Sequence, residues 1–179
     1  WRGMDFSPRG IIFTTDNEKT VKKPLQPATP PHSMSGEDSL FTKIINGEIP
    51  ASFIAKGEDW SAFLDINPRR AGHTLVVPYQ QAQRISDIHQ KQMQTLLAGV
   101  VEVQRKLGIF FNTTDFSIVI HDGPLAGQEI PHLHIHIIPR QKGDGGGSLL
   151  SMWPGAPPIG SVEPDFSALA MLSEKINKL

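Results

Sequence analysis

The sequence predicts an α+β domain, and three observations carry that prediction. Short runs rich in β-branched and aromatic residues recur along the chain, each closed by glycine, proline or asparagine. One run, Asp87 to Leu107, instead repeats its apolar residues with a helical period. From His132 to Ile137 polar and apolar residues alternate, as in a strand with one apolar face.

The elements follow in order. Residues 1–38 read as a poorly ordered N-terminal extension, because Pro8, Pro24, Pro27, Pro30 and Pro31 interrupt a polar stretch without a period. Met34 offers a start for the working domain, which spans residues 39–140. Leu40, Phe41, Ile44 and Ile45 have helical spacing, with Gly47 as a stop before Pro50. Residues 51–56 and 60–66 read as strands joined through Gly57-Glu58-Asp59 in a hairpin. Asn67-Pro68 turns the chain, and residues 73–78 form a third strand closed by proline. The long helix is capped by Asp87, with Gln90 three residues on, and stopped by Gly108. Ile88, Met93, Leu96, Leu97, Val100, Val103 and Leu107 form its apolar stripe. Strand 116–121, a glycine-containing loop 122–129 and the histidine strand come next. Residues 141–179 read as a flexible Gly/Pro-rich segment and a helix from 165 to 177. The glycines at 143–147 lack the spacing of a phosphate-binding loop.

Composition narrows the function. The chain has 179 residues, 39% hydrophobic and 20% charged, the balance of an ordinary globular domain. A formal net charge of −1 argues against broad attachment to nucleic acid or an anionic membrane, so neither is expected as a partner. No stretch approaches the roughly 20 apolar residues of a membrane span. Cysteine is absent, which excludes disulfides, zinc–thiolate sites and thiol nucleophiles from this chain. The start lacks the apolar core of a secretory signal, and the expected compartment is the cytoplasm, with the nucleus also open.

Chemistry concentrates in His132, His134 and His136, three of the chain's seven histidines. They could be histidines of a half-exposed edge. They could be metal ligands, with His73, His121 or a carboxylate completing the set. Or they could be a nucleophile and its supports, because neutral imidazole attacks phosphorus and carries protons near neutrality. In that reading the middle residue, His134, attacks, and glycines in the preceding loop let backbone N–H groups approach a phosphate.

The run His132-Leu133-His134-Ile135-His136-Ile137-Ile138 resembles the signature of the histidine triad (HIT) superfamily. Residues 40–51 are similar to the opening helix of its Hint branch. Residues 63–68, residues 72–78 and Gly127-Gln128-Glu129 resemble further family blocks in the expected order. The resemblance implies a five-stranded antiparallel sheet with two main helices, and a homodimer with one continuous sheet. It implies cleavage at the α-phosphate of a purine nucleotide, with AMP as product and no cofactor. His134 would form a nucleotidyl-histidine. His132, His136 and His73 would support it, and Glu129 would serve as proton donor. Leu40, Phe41, Ile44, Phe63 and Ile66 would enclose the purine, and Asp65 would bind the ribose. His121, Gly127 and Gln128 would lie at the phosphate.

Departures matter as well. His121 stands where the Hint branch usually has asparagine, and Glu129 where many members have serine. Some relatives bind zinc through two cysteines near the start; Ser39 and Thr42 occupy those positions, so no structural metal is expected. Residues 122–128 with Pro139-Arg140 are also similar to the Fhit branch, which cleaves dinucleoside polyphosphates. Met152-Trp153-Pro154-Gly155 resembles the Trp-Pro tail of some Hint proteins. The leading expectation is a purine nucleoside phosphoramidase. The alternatives are a dinucleoside polyphosphate hydrolase and a nucleotide-binding interaction protein.

Overall fold

A computed structural model describes residues 37–147, 161 and 163–177. Residues 1–36 of the expected N-terminal extension, Met34 among them, and the segment around Trp153 lie outside the described residues.

The elements in chain order are α1 (Leu40–Ile45), β1 (Phe53–Lys56), β2 (Trp60–Leu64), β3 (Thr74–Pro78), α2 (Gln90–Phe111), β4 (Phe116–Val119), β5 (Ile135–Pro139) and α3 (Phe166–Ile176). The strands form one sheet in the order β1-β2-β3-β5-β4, every pair antiparallel. The expected five-stranded antiparallel sheet is therefore present.

The pleat sends alternate side chains to opposite faces, and each face has its own core. On one face Trp60, Ala62, Val76, Leu133, Ile135 and Ile137 meet Leu96, Val100, Val103 and Leu107 of α2. On the other, Phe63, Leu75 and Val77 meet Phe41 and Ile44 of α1. His136 pairs with Leu75 on one side and Val119 on the other, so its ring shares the α1 face. The predicted alternation holds: apolar residues go to α2 and imidazoles to the opposite side.

Burial of Trp60 explains Gly99 in α2. A Cβ on Gly99 would stand 2.5 Å from the Trp60 ring, so the helix lies on the indole only where a side chain is missing.

Several boundaries differ from the expectation. α2 begins at Gln90 with His89 as its N-cap, and Asp87 closes a preceding 3-10 turn by accepting from the Arg84 N–H at 3.0 Å. Gly108 does not stop the helix, which runs to Phe111 and ends at Asn112 in the left-handed conformation. Gly108 is needed for close approach: a Cβ there would lie 2.9 Å from the Thr113 carbonyl. Leu97, placed in the apolar stripe, is 50% exposed, one helical position from the buried Leu96. β2 stops at Leu64 and β4 at Val119, both shorter than expected. β5 starts at Ile135, so His132 and His134 lie on the segment that leads into the strand rather than in its ladder.

The glycine-rich segment after β5 is tied down as far as Gly147. Arg140 donates to both oxygens of Asp144, at 2.8 and 2.9 Å, and to the carbonyl of Gly146 at 2.7 Å. α3 forms where expected, with the Asp165 carboxylate accepting from the Ala168 N–H.

Candidate active site at the histidine run

Four imidazoles converge on the α1 side of the sheet, beside a cleft of about 200 Å³. Asp65, Asn67, Arg69, His73, Val119, His121, Gly127, Glu129, His134, His136 and Ile138 line it. His134 and His136 meet edge to face at 4.8 Å, and His121 meets His136 the same way at 5.3 Å.

Hydrogen bonds assign the tautomers. His134 Nδ1 lies 2.7 Å from the His132 carbonyl, which can only accept, so Nδ1 carries the proton. The lone pair of His134 is then on Nε2. His132 Nε2 lies 3.0 Å from the Pro78 carbonyl and must donate, which leaves Nδ1 to accept from the Ser39 hydroxyl at 2.7 Å. The Arg69 N–H donates to His73 Nδ1 at 3.3 Å. His73 Nε2–H therefore donates to His136 Nδ1, 2.9 Å away. His136 is left with its proton on Nε2. A lone pair on one ring and an N–H on its neighbour stand side by side.

Burial disfavours the charged form of His73, His132, His134 and His136. Burial pushes His132 and His136 down to about 4. The Pro78 carbonyl opposes that shift at His132; the neighbouring histidines His134, His73 and His121 reinforce it at His136. His134 is also lowered by burial, against the pull of the His132 carbonyl and Asp65. His73 is lowered by burial too, although the Asp65 carboxylate 3.4 Å away favours its proton. A neutral imidazole is the form that can act as a nucleophile.

The remaining predicted residues separate into groups. Asp65 accepts from the Asn67 N–H at 2.8 Å and faces His73, at the rim of the cleft. Phe41, Ile44 and Phe63 are buried in the second core, where Phe41 packs edge-on against His134 at 5.1 Å. Leu40 and Ile66 are exposed, and neither lines the cleft. Glu129 is exposed at the cleft. His121 Nδ1 donates to the Ala126 carbonyl, and Gly127, at φ +94°, lies so close that a Cβ would stand 3.1 Å from that nitrogen. Gln128 turns away: its amide donates to the Gln83 carbonyl at 2.7 Å, and it does not line the cleft. Asn67 and Arg69 line the cleft but were not singled out from the sequence, where Asn67-Pro68 signalled only a turn.

Among the described residues, Asp65, His73 and His136 bring potential metal-ligand atoms within 4.8 Å of one another. That set differs from the one spacing alone suggested, since His132 and His134 are held by carbonyls.

Comparison with known proteins agrees with this architecture. The profile of the HIT domain matches residues 46–143. An uncharacterized HIT-like protein of Methanocaldococcus jannaschii is 48% identical over 109 residues, covering 59% of this chain and 81% of that protein. Adenosine 5'-monophosphoramidase HNT1 of Saccharomyces cerevisiae is 28% identical over 137 residues, 76% of this chain and 79% of that one. The asymmetrical bis(5'-nucleosyl)-tetraphosphatase of Schizosaccharomyces pombe is 38% identical over 84 residues, 47% of this chain and 46% of that one. Among solved structures, SMU.412c of Streptococcus mutans superposes with a TM-score of 0.69 at 33% identity, over 83% of this chain and 90% of that one.

Proposed function

The chain belongs to the HIT domain family, and on that premise we propose that it is a purine nucleoside phosphoramidase. The observation that carries this reading is the fixed tautomer of His134, whose Nδ1–H is held by the His132 carbonyl while Nε2 keeps its lone pair. In the first half-reaction Nε2 attacks the α-phosphorus, a P–N bond to His134 forms and the P–N bond to the departing amine breaks. Glu129, exposed at the cleft, relays the proton that leaves with the amine. In the second half water attacks the phosphorus, the bond to His134 breaks and AMP departs, while the Glu129 carboxylate takes the water's proton. His136 Nε2–H steadies a phosphate oxygen, and His73 orients His136. Asp65 is assigned to the ribose hydroxyls, Leu40 and Ile66 to the faces of the base, and no step is routed through a metal.

A second reading, dinucleoside polyphosphate hydrolysis, is favoured by one feature. The cleft shares Arg69, Val119 and Ile138 with a larger cavity of about 590 Å³ that also carries Arg70 and Arg140. Asp144 also lines it and pairs with both Arg70 and Arg140, and the net positive charge that is left suits a longer polyphosphate.

The expected homodimer would use the open edge of β4 and the exposed Leu97, Val101, Ile109 and Phe110 of α2. No described helix is long and apolar enough to cross a membrane, and a cytoplasmic setting is part of the proposal.

The test is a paired turnover assay on an adenosine phosphoramidate and diadenosine triphosphate, each with and without EDTA. Faster cleavage of the phosphoramidate, unaffected by EDTA, is expected. His134→Ala should lower turnover by at least about 10³-fold while AMP still binds. Unchanged turnover in that variant would sink the proposal, and preference for the dinucleotide would select the second reading.

A further inference from the structure

Ser39, Thr42 and Gln81 converge on the one triad histidine that does not line the cleft. Ser39 caps α1, its hydroxyl oxygen accepting from the Thr42 N–H at 3.1 Å. The same hydroxyl donates to His132 Nδ1 at 2.7 Å. Thr42 Oγ1 donates to Gln81 Oε1 at 2.6 Å, and that oxygen also accepts the Ser39 N–H at 2.8 Å. Gln81 Nε2 completes the set by donating to the Glu37 carbonyl at 3.0 Å. Two hydroxyl protons meet two acceptors, and only a His132 with an unprotonated Nδ1 closes the count. Ser39, Thr42 and His132 are all buried, at 8%, 7% and 0% exposure, so no solvent stands in for a missing partner.

The cluster reaches the nucleophile by two routes. The His132 carbonyl holds His134 Nδ1–H, so a displacement of the His132 backbone, which its anchored ring resists, shifts the acceptor that fixes the tautomer of His134. Phe41 lies between Ser39 and Thr42 in sequence and packs edge-on against both His132, at 5.9 Å, and His134, at 5.1 Å. Beside Gln81, the Ala82 carbonyl accepts the Leu133 N–H at 2.6 Å, stitching the same loop to the histidine run. A structural tie for α1 alone would not need to end on a triad ring.

We propose that Ser39, Thr42 and Gln81 form a metal-free hydrogen-bonded clasp that positions His132 and, through its carbonyl, sets the aim and tautomer of His134. They are positioning residues, since none of them lines the cleft. Their link to turnover rests on the phosphoramidase reading; their link to the ring tautomers does not.

The test pairs kinetics with ¹⁵N-histidine NMR on the full chain. The unaltered protein should show His132 protonated on Nε2 and His134 on Nδ1. Ser39→Ala should move the His132 shifts, leave His134 in mixed tautomers and lower kcat by about 10- to 100-fold, with KM within about 3-fold. Ser39→Thr should restore both shifts and rate, because it returns the hydroxyl. Thr42→Val, which keeps shape and removes the hydroxyl that donates to Gln81 and stands 3.1 Å from Ser39 Oγ and 3.5 Å from His132 Nδ1, should change the same shifts and decides the matter if Ser39→Ala does not fold. Unaltered His132 and His134 shifts in these variants would overturn the clasp, even with a lowered melting temperature. If the unaltered protein fails to cleave the phosphoramidate, the functional reading falls while the ring shifts still decide the clasp.

Discussion

His134 and His136 are chemically identical side chains given opposite tautomers by what touches Nδ1. A carbonyl at Nδ1 leaves His134 a lone pair on Nε2; the His73 N–H at Nδ1 leaves His136 a proton there. Removing His73 should therefore affect rate more than binding. His73→Ala is expected to lower kcat by about 10- to 100-fold with little change in KM, and an equal rise in KM at constant kcat would refute the relay. The acid limb of the rate profile belongs to His134. Burial holds its folded pKa below the ordinary value, so kcat/KM should stay level through neutrality and decline only below about 6.5. Asp65 opposes that lowering, so Asp65→Asn should move the limb to still lower pH; a shift upward would contradict the assignment. The alternation that put three imidazoles on one side was readable from the residues. The groups that set their tautomers were not. Pro78 and Ser39 lie 54 and 93 positions from His132, and no local period links such partners.

Gly99 shows why the elements were easier to recognise than their ends. The stripe of α2 came from residues that repeat with the helix, so its existence was plain and Leu96, Val100, Val103 and Leu107 are indeed buried. Gly99 sits inside that stripe and gave no signal of its own. In fact it answers to Trp60 across the sheet, and Gly108 answers to the Thr113 carbonyl. Both glycines serve tertiary contacts, which local propensity does not encode, and reading Gly108 as a stop shortened the helix. The two effects can be weighed at Gly99. Alanine gains about 1 kcal/mol in helix propensity. Its Cβ, however, would sit 2.5 Å from a ring that is 5% exposed and has little room to move. Overpacking of that kind costs about 1–3 kcal/mol, so Gly99→Ala should lower stability on balance. A urea midpoint equal to or above that of the parent protein would show that Trp60 yields instead.

The sheet order β1-β2-β3-β5-β4 inserts the last strand between two earlier ones. The strands themselves were visible from composition and turns, and the antiparallel sheet entered with the family resemblance, but the order depends on contacts across most of the domain and was not predicted. Its consequence is that a row of imidazoles runs through the interior, between α1 and the sheet, rather than along an edge. This ties the fold's stability to the protonation state that the proposed chemistry needs. His132 and His136 titrate near 4 in the fold and near 6.5 when unfolded. Between those values the unfolded chain binds more protons than the folded one, so acid favours unfolding. Stability should be fully present above about 6.5 and fall as pH drops towards about 4. For the fully buried His132 alone the difference corresponds to about 3 kcal/mol, a large part of the roughly 5–15 kcal/mol of a typical domain. Each such histidine adds at most about 1.4 kcal/mol per pH unit to the slope. Urea unfolding near pH 5 should therefore show a slope of about 1.4–3 kcal/mol per unit, before ordinary carboxylates begin to titrate near 4. A flat profile between pH of about 7 and about 5 would mean that these rings are as free to protonate in the fold as in water.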